Sequence, residues 1–361
     1  MKIAIVDRLK AFSHVPGHEA MIPGSIWKVR AFPAALFLES CEEDQPAQAF
    51  FWDLKGPISP FTIEQDIDQM SLRIYGVAKQ GYFRFVLKVQ NLALSLHVEK
   101  APKEGIGCLD SHGKEHSRLY TGNELVLAQE LLAVVAKKER LFLGNTKQKE
   151  WEKIRRQNDL TAMLPIWFSL GQNTPDRQKK EEGPVLVLLQ TLKEQSALQD
   201  RLVVLATIED LFRVGFTGGL VPRVEDTEWQ GIIPFRDPAS SLTALSLLPF
   251  GAKEIRSLFF QEERTVFQFL PCLPPGLVFG KMFQITTKQG DQIDFEWSKN
   301  QIRKVIILIQ EDREELLCSF PQEIQSYRIR RGSKDKGSIL PKGKSFSVRK
   351  GERIWLDRFA K

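Results

Sequence analysis

The chain has 361 residues, 42% of them hydrophobic and 27% charged, which excludes a disordered, collagen-like or purely coiled-coil protein and predicts two or three domains. No apolar run reaches the ~18 to 20 residues of a membrane helix, and Met1 to Lys10 carries Asp7 among its cations, so no membrane partner and no secretory leader are expected and a cytoplasmic location follows. The net charge is +6, yet the last 41 residues hold twelve Lys or Arg against four Asp or Glu, so the basicity belongs to the tail and the first 320 residues stand near −2.

From the amino terminus to about Lys100, short β-branched and aromatic segments alternate with turn signals. Strands are predicted at Ile3 to Val6, Ser25 to Phe32, Ala35 to Leu38, Ala49 to Leu54, Ser71 to Tyr75, Tyr82 to Val89 and Leu92 to Val98. Pro16-Gly17, Pro23-Gly24, Gly56-Pro57 and Gly81 separate them. This spacing predicts an antiparallel β-sandwich-like domain over 1–100. In Tyr82 to Val89 the alternation puts Phe83, Phe85, Leu87 and Val89 on one face and Arg84 and Lys88 on the other.

Residues 101–120 read as a polar loop. The period then changes. Leu125 to Val135, with Asn123 as N-cap, and Lys147 to Gln157 read as helices, followed by Leu160 to Leu170, where Pro165 predicts a kink or break. A polar linker is expected at 172–183, then helices from Pro184 to about Lys193 and from Leu198 to Val214, the last stopping at Gly215. The helical region is placed at 101–262. Strands return as a basic β-domain over 263–361, at Val266 to Leu270, Met282 to Thr286, Gln292 to Trp297, Lys304 to Ile309, Glu315 to Ser319, Ser326 to Ile329, Ser345 to Val348 and Arg353 to Asp357. The fold class is therefore α+β, with β-rich ends, a helical middle and a carboxy-terminal β-sandwich domain.

One stretch carries a family signal. Phe267-Gln268-Phe269-Leu270-Pro271-Cys272-Leu273-Pro274, then Gly276 and Gly280, then Gly290-Asp291-Gln292-Ile293-Asp294-Phe295-Glu296-Trp297, resembles the junction between barrel and carboxy-terminal β-domain in α-L-fucosidases of the inverting, helical-barrel type. In that family a Leu-Pro-Ala-Leu-Pro segment precedes a glycine-containing connection and a strand pair ending in Glu-Trp. Cys272 stands where the family has alanine, and Lys288-Gln289-Gly290 where it usually has Arg-Gly-Gly. The resemblance covers about 60 of the 361 residues. It implies a β-sandwich, a helical barrel and a small β-domain in that order, which this chain shares. A full barrel of twelve helices needs on the order of 300 residues, and about 140 are offered here, so the implied scaffold is a reduced one. None of the family's catalytic carboxylates is matched residue by residue.

The acidic constellation best placed for glycoside chemistry is Asp210, beside Glu209 near a helix end, with Asp226 and Glu228 after a glycine-rich turn. Such hydrolysis needs two carboxylates about 5 to 10 Å apart, and Trp229 offers a ring for a sugar face. Arg223 and Glu225 join Trp229 as expected ligand contacts, and Gly215 to Arg223 reads as a flexible loop lining the site. The plain alternative is a solvated acidic loop.

Cys108, Asp110, His112 and His116 fall within nine residues, but their spacing matches no zinc motif, and His14 and His18 flank Pro16-Gly17 and share no helical face. With no phosphate loop and no Gly-x-Ser-x-Gly elbow, no metal and no cofactor is expected. Cys41, Cys108, Cys272 and Cys318 are too scattered for a Cys-x-x-Cys pair and read as free thiols. The expected partner is a carbohydrate ligand. The other reading is an interaction module whose basic tail, with Arg328, Arg330, Arg331, Lys334 and Lys336, meets nucleic acid or an acidic protein.

Overall fold

The computed structural model describes residues 9–41, 47–129, 139–144, 148–175, 183–198, 201–226, 231–232, 243–332 and 334–361. The predicted strand at Ile3 to Val6 lies outside them. The chain is α+β, with β-rich ends around a helical middle.

The amino-terminal strands are β1 (Lys10–Ser13), β2 (Glu19–Met21), β3 (Trp27–Phe32), β4 (Ala35–Ser40), β5 (Gln48–Trp52), β6 (Phe61–Asp66), β7 (Ser71–Ala78), β8 (Gly81–Gln90), β9 (Ala93–Lys100), β10 (Ile106–Asp110), β11 (Glu115–Leu119) and β12 (Glu124–Gln129). They form two sheets, β12-β9-β8-β7-β6-β1 and β11-β10-β5-β4-β3-β2. The inner faces meet as a sandwich: Trp52 of one sheet lies 4.9 Å from Phe85 of the other, ring to ring. Phe83, Phe85 and Leu87 are buried on one face of β8, as alternation requires. Farther along, β13 (Arg140–Leu143) joins the carboxy-terminal sheet, and β14 (Lys149–Glu150) returns to pair in parallel with β1.

Two sequence expectations are corrected here. The polar loop of 101–120 contains the hairpin β10–β11, whose turn is closed by Asp110: its Oδ1 accepts the His112 and Lys114 N–H groups. The helix expected over Leu125 to Val135 starts instead as strand β12, paired with β9 through Leu125 and Leu96; residues 130–135 lie outside the described ones. The Leu- and Ala-rich composition favours helix, but the unpaired edge of β9 supplies a ladder that propensity does not anticipate. Asn123, expected as an N-cap, closes a turn by accepting the Tyr120 N–H.

The helices are α1 (Trp151–Gln157), α2 (Leu160–Gln172), α3 (Pro184–Leu198), α4 (Arg201–Val214) and α5 (Leu247–Phe259); the short hairpin β15 (Phe216–Thr217) and β16 (Val221–Pro222) follows α4. Asp159 caps α2 by accepting the Thr161 and Ala162 N–H groups. Pro165 does not break α2. It sits early enough that only the Thr161 carbonyl loses its intrahelical donor. Instead of opening an exposed linker, Asn173 and Thr174 are buried and cap the other end, donating to the Ser169 and Leu170 carbonyls.

Helices α2 and α5 approach closely at two glycines. A Cβ at Gly171 would strike the Leu248 carbonyl, and one at Gly251 the Trp167 ring. Trp167 Nε1 donates to the Leu247 carbonyl at 3.0 Å across the same contact.

The carboxy-terminal strands are β17 (Phe260–Glu263), β18 (Val266–Phe269), β19 (Gly280–Thr286), β20 (Gln292–Ser298), β21 (Gln301–Leu308), β22 (Arg313–Ser319), β23 (Ser326–Arg330), β24 (Ser338–Pro341), β25 (Phe346–Val348) and β26 (Arg353–Ala360). They make a larger sheet, β13-β19-β20-β21-β26-β23-β24, and a smaller one, β17-β18-β22-β25. Phe269 and Phe295 join them edge to face at 5.4 Å. Ile293, Phe295 and Trp297 all face inward, and Trp297 stacks on Phe259 at the end of α5, 5.2 Å between centroids, while Nε1 donates to the Leu277 carbonyl. Because α5 passes without a loop into β17, this clamp fixes the helix against the second sandwich. No helix among the described residues is long and apolar enough to cross a membrane.

Candidate functional site

A cleft of about 660 Å³ opens where α2, α5 and the end of β19 converge. That is within the size range of small-molecule sites. Among the described residues, Phe168, Pro249 and Ala252 give it apolar wall, and Glu139, Gln172, Lys253, Arg256, Glu262 and Lys288 give it polar groups. They are delivered by several pieces of local structure. Arg256 and Lys253 are three residues apart on α5, on one helix face. Glu262 follows the helix-to-strand corner into β17, Glu139 precedes β13, and Gln172 ends α2.

Arg256 is the hub. Its Nε donates to Glu139 Oε2 at 3.0 Å, its Nη2 donates to the Thr286 carbonyl at 3.2 Å and lies 3.6 Å from Glu262 Oε1, and its guanidinium lies over the Phe260 ring at 5.1 Å. Both carboxylates also accept backbone N–H groups, Glu139 Oε1 from Thr286 at 3.1 Å and Glu262 Oε2 from Lys288 at 2.9 Å. Beneath this wall the turn after β19 is held by Thr287 and by buried Asp291, which accepts from Gln310 and forms an ion pair with Arg313. The wall is therefore rigid, and the two carboxylates are drawn inward by donors.

Gln172 is different. Its Nε2 donates to the Glu139 and Phe168 carbonyls, both at 3.3 Å, which fixes the amide orientation, because a flipped amide would set oxygen against two carbonyls. Oε1 is then buried with no partner among the described residues. A buried unpaired acceptor costs about 1–3 kcal/mol, which a donor reaching it through a small shift of the wall would recover. Among the described residues Arg256 Nη1 has no protein partner and Lys288 makes no ion pair. The cleft thus offers waiting donors among the described residues, and an unanswered acceptor lies enclosed in its wall.

The residues expected from the sequence lie elsewhere. Asp210 is on α4, half-buried, with Arg213 3.9 Å away; burial raises its carboxyl above the ordinary range and Arg213 opposes the shift. Arg223 and Asp226 are brought together, 3.9 Å apart, but as a cap: Arg223 Nε donates to the Val214 carbonyl and Nη2 to the Arg213 carbonyl at the end of α4. Glu225 is exposed, and Glu228 and Trp229 lie outside the described residues. The glycine loop read as flexible is pinned. Gly219 donates to the Glu19 carbonyl and accepts from Met21, which adds the loop to the edge of β2, and a Cβ at Gly218 would collide with the Glu19 carbonyl. Gln65 Nε2 secures the same join from the other sheet.

The remaining motifs resolve into structure. Cys108 is buried, its thiol pushed up to about 12 by burial and by Asp110, and His116 Nε2 lies 3.2 Å from Asp110 Oδ2. No group of three or more His, Cys, Asp and Glu converges among the described residues. In the basic tail, Arg328 and Arg330 both bond Asp357, at 2.7 Å each, and Arg331 bonds Glu352 at 2.6 Å; Tyr327 is buried.

Sequence reasoning missed the cleft because its polar groups are far apart in the chain; Glu139 and Arg256 are 117 residues apart. One signal was available. Residues 247–259 space Leu248, Ala252, Ile255 and Phe259 as an apolar helical face opposite Lys253. No protein-family model matches the chain, and no match is found among curated proteins.

Proposed function

We propose that the protein binds carbohydrate on a reduced glycoside-hydrolase-like scaffold, with the cleft between α2, α5 and β19 as its site. The observation that carries this reading is the cleft itself, where the Arg256 Nη1 and Lys288 donors have no protein partner or ion pair among the described residues and the wall encloses Gln172 Oε1, unanswered among the same residues. A sugar hydroxyl both donates and accepts, so a polyol satisfies such a mixed lining where a purely acceptor or purely donor ligand does not. The segment resembling helical-barrel fucosidases, Phe267 to Trp297, supplies Thr286, Thr287 and Lys288 to the same wall. The reading is of binding rather than hydrolysis, because Glu139 and Glu262 already accept from backbone and guanidinium donors. The tail supports a nucleic-acid reading less well, since three of its arginines are committed to Asp357 and Glu352.

The test is saturation-transfer NMR with a panel of monosaccharides and disaccharides on protein whose fold is verified by circular dichroism. Transfer to sugar protons that weakens in Gln172→Met supports the reading. Silence across the panel with folded protein ends it.

A further inference from the structure

We infer that the outer face of the larger carboxy-terminal sheet is a second binding surface, centred on Trp355, and that its ligand is a neutral saccharide chain. The inference is independent of the cleft, and either holds without the other. Trp27, Trp52, Trp151, Trp167 and Trp297 are all at most 7% exposed. Trp355, on β26, is only half-buried, and its indole N–H makes no hydrogen bond among the described residues. Alternation explains why it faces outward: its neighbours Ile354 and Leu356 are fully buried in the sandwich core. Register then names its surroundings. Ile306 of β21 stands directly opposite Trp355 on one side and Arg330 of β23 on the other, with Asp294 of β20 beyond Ile306. The next pairs on the same face are Leu308 with Arg353 and Arg328 with Asp357.

Trp355, Ile306 and Leu308, all half-buried, therefore form an apolar floor rimmed by donors and acceptors. A pyranose presents C–H groups on the faces of its ring and hydroxyls around the edge, so it stacks on the indole while its edge reaches the rim. Charge complementarity selects this occupant. Both signs are interleaved on the face: Arg328 and Arg330 bond Asp357, and Asp294 accepts the Gln284 N–H. A single-stranded nucleic acid needs cations along its phosphates, and two of the three arginines here are already paired with a carboxylate. An apolar protein surface would strip water from the carboxylates without replacing it, whereas hydroxyls hydrogen-bond to them and to Arg353 in its place. Four neighbouring strands span about 14 Å, wider than one ring, and the face is open, so the ligand is a chain rather than a monosaccharide.

The test is a map of amide and indole N–H shifts of the labelled full chain with cellohexaose, xylohexaose, mannohexaose and maltohexaose, set against glucose and an oligothymidylate. The expected result is that at least one hexasaccharide moves the Trp355 indole resonance, identified by its loss in Trp355→Phe, with little change between low and physiological salt. Trp355→Ala should weaken that binding about tenfold or more, the size of one lost stacking contact, and leave any response of the Gln172 side-chain amide as in the parent. A Trp355 resonance unmoved by all four chains, in protein folded by circular dichroism, overturns the inference, and a Gln172 amide that still responds to glucose then leaves the cleft reading standing. Movement at Trp355 with the Gln172 amide silent supports this surface and counts against the cleft. A stronger response to oligothymidylate that fades with salt marks a nucleic-acid face, and a Trp355 shift on dilution without ligand marks a contact between copies; either overturns the inference. If Trp355→Ala unfolds, Trp355→Leu, which keeps an apolar side chain on the face, decides: lost binding in the folded variant supports stacking, and retained binding overturns it.

Discussion

Two arginines in this molecule do superficially the same thing, and the contrast between them separates structure from site. Arg223 caps α4: its guanidinium donates to the Val214 and Arg213 carbonyls and lies against Asp226. Arg256 ties α5 to Glu139, Glu262 and the Thr286 carbonyl. The first arrangement closes on itself, and the glycine loop beside it is stitched to β2. The second borders a hollow and, among the described residues, leaves Nη1 and the enclosed Gln172 Oε1 unanswered. Residue type does not distinguish them, since each is an arginine among acids near a helix. What distinguishes them is whether the donors and acceptors balance without a ligand.

The largest test of that contrast concerns the frame behind the cleft. Trp297→Ala removes a ring that is 2% exposed and stacked on Phe259. It should cost about 3–5 kcal/mol by denaturant unfolding, because a buried aromatic leaves both transfer energy and a cavity behind. Arg256→Met should cost about 2–3 kcal/mol, since it strands two carboxylates, and should abolish sugar transfer in the folded variant. Arg223→Met should cost about 1–2 kcal/mol through the lost cap and leave sugar transfer unchanged. Equal effects of the two arginine variants on binding would erase the distinction.

A smaller effect comes with pH at the far end of α2. Burial works to raise the Asp159 carboxyl, but Lys149, the Thr161 hydroxyl and the first N–H groups of α2 outweigh it and hold it below its ordinary 3.8. A carboxyl lowered on folding contributes stability above its unfolded value and loses it as pH falls through the folded value. Melting curves taken downward from pH 5 should therefore fall more steeply for the parent than for Asp159→Asn, and parallel curves would remove Asp159 from the account. The smallest effect is expected at Asp210, half-exposed on α4: Asp210→Asn should change stability by less than about 0.5 kcal/mol and leave sugar transfer intact. A loss of binding there would return the site to the end of α4.

Much of the fold was legible because period decides face. The alternation of Ile293, Phe295 and Trp297, and of Phe83, Phe85 and Leu87, names the buried side before any coordinates do, and Gly215 marks where α4 stops. Strands were lost where pairing rather than composition made them. The hairpin of Cys108 and His116 lies in a glycine-bearing polar stretch, and β12 is held by the edge of β9 against a helical composition. The site was less legible for a related reason. Asp210, Asp226 and Arg223 draw attention because they are close in sequence, and closeness in sequence along a helix end is what a cap requires. Glu139, Gln172, Arg256 and Lys288 meet only because α5 runs into β17 and β13 crosses to β19, which no local pattern announces.

The most direct test of the central claim is a map of amide shifts on adding, to the isotopically labelled full chain, the sugar of the panel that gives the strongest saturation transfer. The account predicts that the shifted resonances centre on the Gln172 side-chain amide and on the backbone amides of Thr286, Thr287 and Lys288, with the amides of Gly218 to Asp226 unmoved. Shifts concentrated on Gly218 to Asp226, with the Gln172 side-chain amide unchanged, would contradict it.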